Sequence, residues 1–174
     1  ACDRCIVLAG KFYRYSSGFL RHPRCDCTMV PVSHQQWRDD QPENTPAALF
    51  GQVSEAEQNR RFGSANAEAI RLGADISQVV NARRGMTTVK SFGRNLQVTT
   101  TGTTTRALFG GYEIRPDGSL RRRPDSELRK EPGQRYRTAK ALRLTPGEIF
   151  RLGDEFGWGR EELVRQLRRY AYLR

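Results

Sequence analysis

All four cysteines of the chain lie between residues 2 and 27, together with one of its two histidines. The first pair reads CDRC, at Cys2 and Cys5, and the second group reads HPRCDC, at His22, Cys25 and Cys27. A C-x2-C turn and an H-P-x-C turn separated by sixteen residues can offer four nitrogen and sulfur ligands to one tetrahedral Zn2+. Each tight turn brings two ligands together and aims backbone N–H groups at the thiolates, which offsets their charge. Arg4, Lys11, Arg21 and Arg24 lie close in sequence and favour thiolate over thiol. The first ligand set is Cys2, Cys5, His22 and Cys25. A second set exchanges His22 or Cys25 for Cys27, and the spacing leaves both open. Two disulfides are the competing reading, which needs an oxidising compartment. A catalytic thiol is the third, disfavoured because a reactive cysteine rarely sits among three others.

Little else in the sequence suggests chemistry. His34, in VSHQQW, has no carboxylate at metal-ligand spacing and reads as exposed or hydrogen-bonded. No nucleophile elbow, phosphate-binding glycine loop, H-E-x-x-H or paired-carboxylate motif appears, so no catalytic residues are assigned and the chain does not read as an enzyme.

The elements that must position the Cys/His group are short and separated by turns. The chain has 174 residues, 37% apolar and 28% charged, which predicts one modest core with much surface. No apolar run reaches 18 residues, which argues against a membrane-spanning helix, and CIVLAG is too short for a signal-peptide core. The motif flush with Ala1 suggests that sequence once preceded it. Residues 1–35 form the Cys/His module, and residues 36–53 read as a linker or draped loop that Trp37 and Leu49-Phe50 pin down. Within 54–114, Ser54 and Glu57 form a capping box, and Asp75 with Gln78 opens a second helix, which Gly85 ends. TTVKSF and LQVTTT then alternate as a β-hairpin around GRN, and a Pro-Asp-Gly turn lies between YEIR and SLRRR. Residues 115–143 hold ten Lys/Arg against four Asp/Glu and are expected to be an extended, mobile segment rather than a packed element. Residues 144–174 read as a helix pair, opened by the Thr145-Pro146-Gly147-Glu148 box and broken at GWG. The expected class is α+β: a small loop-rich, zinc-stapled module with short helices, a β-hairpin region and a C-terminal helix pair.

The formal net charge is +11, and it is uneven. Residues 1–87 hold 11 Lys/Arg against 9 Asp/Glu, whereas residues 88–174 hold 19 against 10. Most of the basic residues are arginine, whose planar fork matches phosphate. Such a half implies an anionic partner: nucleic acid, an acidic protein surface or anionic lipid. The candidate phosphate contacts are Arg121, Arg122, Arg123, Arg129, Lys130, Arg135 and Arg137, touching nucleic acid without reading its sequence.

The run Cys2-Asp3-Arg4-Cys5-Ile6-Val7-Leu8-Ala9-Gly10-Lys11-Phe12-Tyr13, followed by His22-Pro23-Arg24-Cys25-Asp26-Cys27, resembles the minor head proteins of tailed bacteriophages related to the Mu F protein. AEAIRLGADISQVVNARRGM, QVTTTGTTTR and the C-terminal LTPGEIF…REELVRQLRRYAYLR are similar to minor capsid proteins of actinobacterial phages. The resemblance implies a virion component at the capsid interior. Its implied partners are portal and capsid proteins and packaged double-stranded DNA, with no membrane and no small-molecule substrate. It favours Cys2, Cys5, His22 and Cys25 as zinc ligands. Many such proteins carry a helical region before the C-x-x-C, which is missing here, as expected of a truncated or processed start. The alternatives are a connector that clamps an acidic capsid or portal protein without touching DNA, and a phage protease or effector domain.

Overall fold

The computed structural model describes residues 2–12, 30–40, 43–91, 93–101, 111–114, 119–124, 126, 128–129, 138–139 and 142–173. The protein is α+β, with short helices and small antiparallel sheets. Its chain divides into two compact units, residues 1–64 and 65–174.

The first unit contains α1 (Asp3–Ile6), α2 (His34–Asp40), α3 (Pro46–Gly51) and α4 (Glu55–Phe62). Phe50 and Phe62 are both buried and meet edge to face, 5.3 Å between centroids. Gln58, also buried, donates from Nε2 to the carbonyls of Phe50 and Val53, so its amide costs little inside the core. The stretch expected as a linker is instead largely helical. Ser33 and Gln36 cap α2 reciprocally: the Gln36 N–H donates to Ser33 Oγ and the Ser33 N–H to Gln36 Oε1. Thr45 Oγ1 accepts from the Ala48 N–H to start α3, with Pro46 at its first position. The expected anchors do hold it: Phe50 is in the core, and Trp37 Nε1 donates to the Gly10 carbonyl at 2.6 Å.

The second unit carries α5 (Ser64–Arg71, which starts at the boundary), α6 (Ile76–Arg84), α7 (Pro146–Phe156) and α8 (Arg160–Arg169). A three-stranded sheet runs in the order β1 (Met86–Ser91), β2 (Arg94–Thr99), β7 (Arg143–Leu144). The expected hairpin is thus β1–β2, registered from Met86↔Thr99 to Ser91↔Arg94. Two smaller pairs follow, β3 (Tyr112–Ile114) with β4 (Leu120–Arg122), and β5 (Leu128–Arg129) with β6 (Thr138–Ala139); β4, β5 and β6 lie within the basic stretch. Of the buried side chains of α6, Ile76, Val79 and Val80 stand at i, i+3 and i+4 on one face, and Ala82 is buried beside them. Ile149, Leu152 and Leu167 supply the buried stripes of the C-terminal helix pair. That pair is joined by Gly157, Trp158 and Gly159, with Gly157 left-handed at φ 65°. Leu163 of α8 seats over Gly153 of α7, where a Cβ would stand 2.7 Å from Leu163 Cδ2.

Three capping signals place their helices as predicted, but each is half a box. Ser54, Asp75 and Thr145 accept from the N–H groups of Glu57, Gln78 and Glu148. The third-position side chains do not return to the cap; each is taken by an arginine. Glu57 binds Arg60 and Arg61, Gln78 Oε1 accepts from Arg143, and Glu148 binds Arg151. A hydrogen bond with a charged donor is stronger than one from a neutral backbone N–H, so the arginines win.

Candidate nucleic-acid interface and metal ligands

Cys2 is the N-cap of α1 and Cys5 lies one turn on, with the Cys5 and Ile6 N–H groups both donating to the Cys2 carbonyl. The C-x2-C pair therefore sits on a single helical turn. Cys5 is buried and Cys2 half-buried. His22, Cys25 and Cys27 lie outside the described residues. Among the described residues no three His, Cys, Asp or Glu side chains gather in a way that would hold a metal. His34 is exposed and stands among aromatic rings, 5.4 Å from both Phe12 and Trp37.

The basic candidates divide by environment. Lys130, Arg135 and Arg137 lie outside the described residues, and Arg129 is placed in β5. Arg121 and Arg122 are in β4, and Arg123 extends it by donating its N–H to the Gly111 carbonyl. The register Tyr112↔Arg122, Glu113↔Arg121, Ile114↔Leu120 makes a two-stranded ribbon. Side chains alternate along a strand, so Arg122 and Leu120 share a face with Tyr112, and Arg121 and Arg123 share the other. Exposure follows the alternation: Leu120, Arg122 and Tyr112 are exposed, whereas Arg121 and Arg123 are half-buried.

Arg143, the last residue of the basic stretch, is not on the surface at all. It is fully buried in β7. Its Nη2 donates to Gln78 Oε1 at 2.9 Å and its Nη1 to the Tyr170 carbonyl at 3.2 Å. The guanidinium lies over the Tyr172 ring, 4.2 Å from the centroid. Burial pulls its pKa below the ordinary arginine value, yet that value is so far above neutrality that the group stays charged. Burial also pushes the Tyr172 phenol well above its usual range, with the Arg143 charge acting the other way. The Tyr172 hydroxyl donates to the Leu144 carbonyl at 3.0 Å.

What delivers Tyr172 to this place is the end of α8. Ala171 adopts φ 57°, and the N–H groups of Tyr172 and Ala171 donate to the carbonyls of Leu167 and Arg168. That is a Schellman cap, closed by the buried side chains of Leu167 and Tyr172. The Tyr172 carbonyl then accepts from the Asp75 N–H, which ties the cap to the start of α6. Sequence reasoning missed Arg143 because an arginine within a basic run reads as one more surface charge. The available signal was its neighbour: Arg143-Leu144-Thr145 runs directly into a capping box, so it had to lie close to the core.

Other arginines of the second unit are committed to acids. Arg151 binds Glu148, which is 2% exposed, and also Glu155. Arg94 pairs with Glu155 and lies over Phe156, which stacks on Trp158. Arg165 pairs with Glu162. Arg122, Arg160 and Arg168 are exposed and have no ion pair among the described residues. Among the described residues no helix is long and apolar enough to cross a membrane. Comparison of the chain with protein-family models, with curated proteins and with solved structures returns no match.

Proposed function

We propose that the chain is a structural minor head protein of a tailed bacteriophage, acting inside the capsid near the portal. In this reading it contacts packaged double-stranded DNA through the phosphates and supports head assembly or DNA delivery. The observation that carries the proposal is the charge asymmetry: residues 88–174 hold 19 Lys/Arg against 10 Asp/Glu. Exposed arginines without acidic partners among the described residues, such as Arg122, suit bidentate binding of phosphate. The likeness of the Cys/His run to minor head proteins directs the reading to a virion. Cys2, Cys5, His22 and Cys25 would hold a Zn2+, with Cys27 as the alternative ligand. The metal would rigidify a loop-rich segment with little core of its own. The role is structural, without turnover.

The test is binding of a random-sequence duplex, followed by fluorescence anisotropy across a salt series. Counterion release makes log K fall linearly with log salt, by about 0.9 per phosphate neutralised. A slope of several units with little dependence on sequence is the expected result. No binding at low salt would remove the DNA role and leave the connector that clamps an acidic capsid or portal protein.

A further inference from the structure

The β3–β4 ribbon has two unlike faces, and the difference bears on what kind of nucleic acid it suits. Because the Arg123 N–H donates to the Gly111 carbonyl, residues 111 and 123 form a hydrogen-bonded pair. Antiparallel pairs alternate, so Tyr112 and Arg122 form the next, non-hydrogen-bonded pair, where facing side chains lie closest. Arg121 and Arg123, on the opposite face, are half-buried and each is already engaged by another group of the chain. On the Tyr112 face the situation is reversed. The Tyr112 ring, 39% exposed, meets no other ring, and the Arg122 guanidinium makes no ion pair, among the described residues. Leu120, 52% exposed, extends the same face two residues along β4.

An aromatic face, a neighbouring cation and an apolar shelf in one plane are what an unstacked nucleotide requires. The ring offers a surface for the base, and the fork a bidentate partner for the adjoining phosphate. A stacked duplex hides its base faces and can use the cation alone. We infer that the Tyr112–Arg122 face of the ribbon binds an unpaired nucleotide of single-stranded DNA, with the base on Tyr112 and its phosphate on Arg122. This rests on the proposed DNA contact and narrows it: beside phosphate binding along a duplex, the ribbon prefers ends or openings where bases are unpaired.

The test compares an oligo-dT strand with a random-sequence duplex of equal length, each titrated with the full chain by fluorescence anisotropy. Tyr112→Ala is expected to weaken binding of the single strand by about 5- to 150-fold, the range for loss of one base stack. Duplex binding should change less than about twofold. Tyr112→Phe should keep the single-strand affinity, since it keeps the ring. Arg122→Ala should weaken both ligands and lower both salt slopes by a little under one. Circular dichroism of each variant checks that the fold is retained. Equal losses for strand and duplex in Tyr112→Ala, or no loss on the single strand, would overturn the stacking inference while leaving DNA binding in place. No binding of either ligand by the unaltered chain would sink the DNA reading itself.

Discussion

The contact between Arg143 and Tyr172 helps hold the C-terminus against β7, and its contribution can be apportioned. Tyr172 contributes three separable things: a hydroxyl bonded to the Leu144 carbonyl, a ring under the Arg143 guanidinium, and buried volume. Tyr172→Phe removes the first alone and should cost about 1–2 kcal/mol, the net hydrogen bond plus a carbonyl left short of a partner. Tyr172→Leu removes ring and hydroxyl together and should cost about 3–5 kcal/mol. Arg143→Met keeps much of the volume and removes the charge. Its cost should be modest, because a buried ion carries a desolvation penalty that partly cancels its contacts. The informative quantity is the coupling. Arg143→Met with Tyr172→Leu should show about 1–2 kcal/mol, the magnitude of a desolvated cation–π contact. Arg143→Met with Tyr172→Phe should show less than about 0.5 kcal/mol, because phenylalanine retains the ring. Urea unfolding followed by Trp158 fluorescence, in a Trp37→Phe background, reports on the second unit. Equal coupling in the two cycles would refute the assignment to ring and guanidinium. It would point instead to general packing around the site.

Three further outcomes are expected. Hydrogen bonds from Arg60 and then Arg61 lower the pKa of Glu57 from 4.5 to about 2. A carboxylate depressed in the folded state adds stability above its unfolded pKa, and loses it as pH falls toward its folded one. The urea midpoint should therefore fall between about pH 4.5 and 2, less steeply in Glu57→Gln and in high salt; an unchanged slope in the variant would exclude Glu57 as a source. Ala171→Gly should raise stability by about 0.5–1 kcal/mol in chemical denaturation, since it relieves a left-handed residue with a Cβ; a loss would mean the cap is not held at φ 57° in solution. Elemental analysis of the purified chain should find about one zinc per molecule, with Cys2→Ser lowering it; less than about half an equivalent in folded protein counts against the metal.

The α+β class, the helix starts and the main hairpin were legible because each rests on local chemistry. Ser54, Asp75 and Thr145 are capping residues whatever follows them, and alternation in TTVKSF and LQVTTT needs no tertiary information. The helices within residues 36–53 were also written locally, at Ser33-x-x-Gln36 and at Thr45-Pro46. They were obscured because polar residues and two prolines gave the stretch no apolar period. The second half of each capping box was not legible. Whether Glu57, Gln78 or Glu148 turns back to its cap depends on where an arginine is brought, and for Gln78 that arginine is 65 residues away. The end of α8 was hidden for a related reason: a Schellman cap is signalled by glycine, and here alanine takes the left-handed position.

The same dependence on long-range placement changes what the basic composition means. Counting residues treats every arginine of the second half as surface charge. Arg143 is sealed in the core, and Arg94, Arg151 and Arg165 are held by Glu155, Glu148 and Glu162. Arg143 and Arg94 tie strands to helices, whereas Arg151 and Arg165 bridge turns within α7 and α8; breaking the pairs of Arg94, Arg151 or Arg165 to reach a phosphate would leave acids behind to repel it. The charge that can face an anionic partner is carried by residues such as Arg122, Arg160 and Arg168, exposed and without an acid of their own among the described residues. Affinity for a polyanion should therefore follow these positions and not the formal net charge. Of the ribbon arginines, Arg122 is the one whose face leaves it free to act beside an aromatic ring, and that makes it the residue on which a nucleic-acid role of this chain turns.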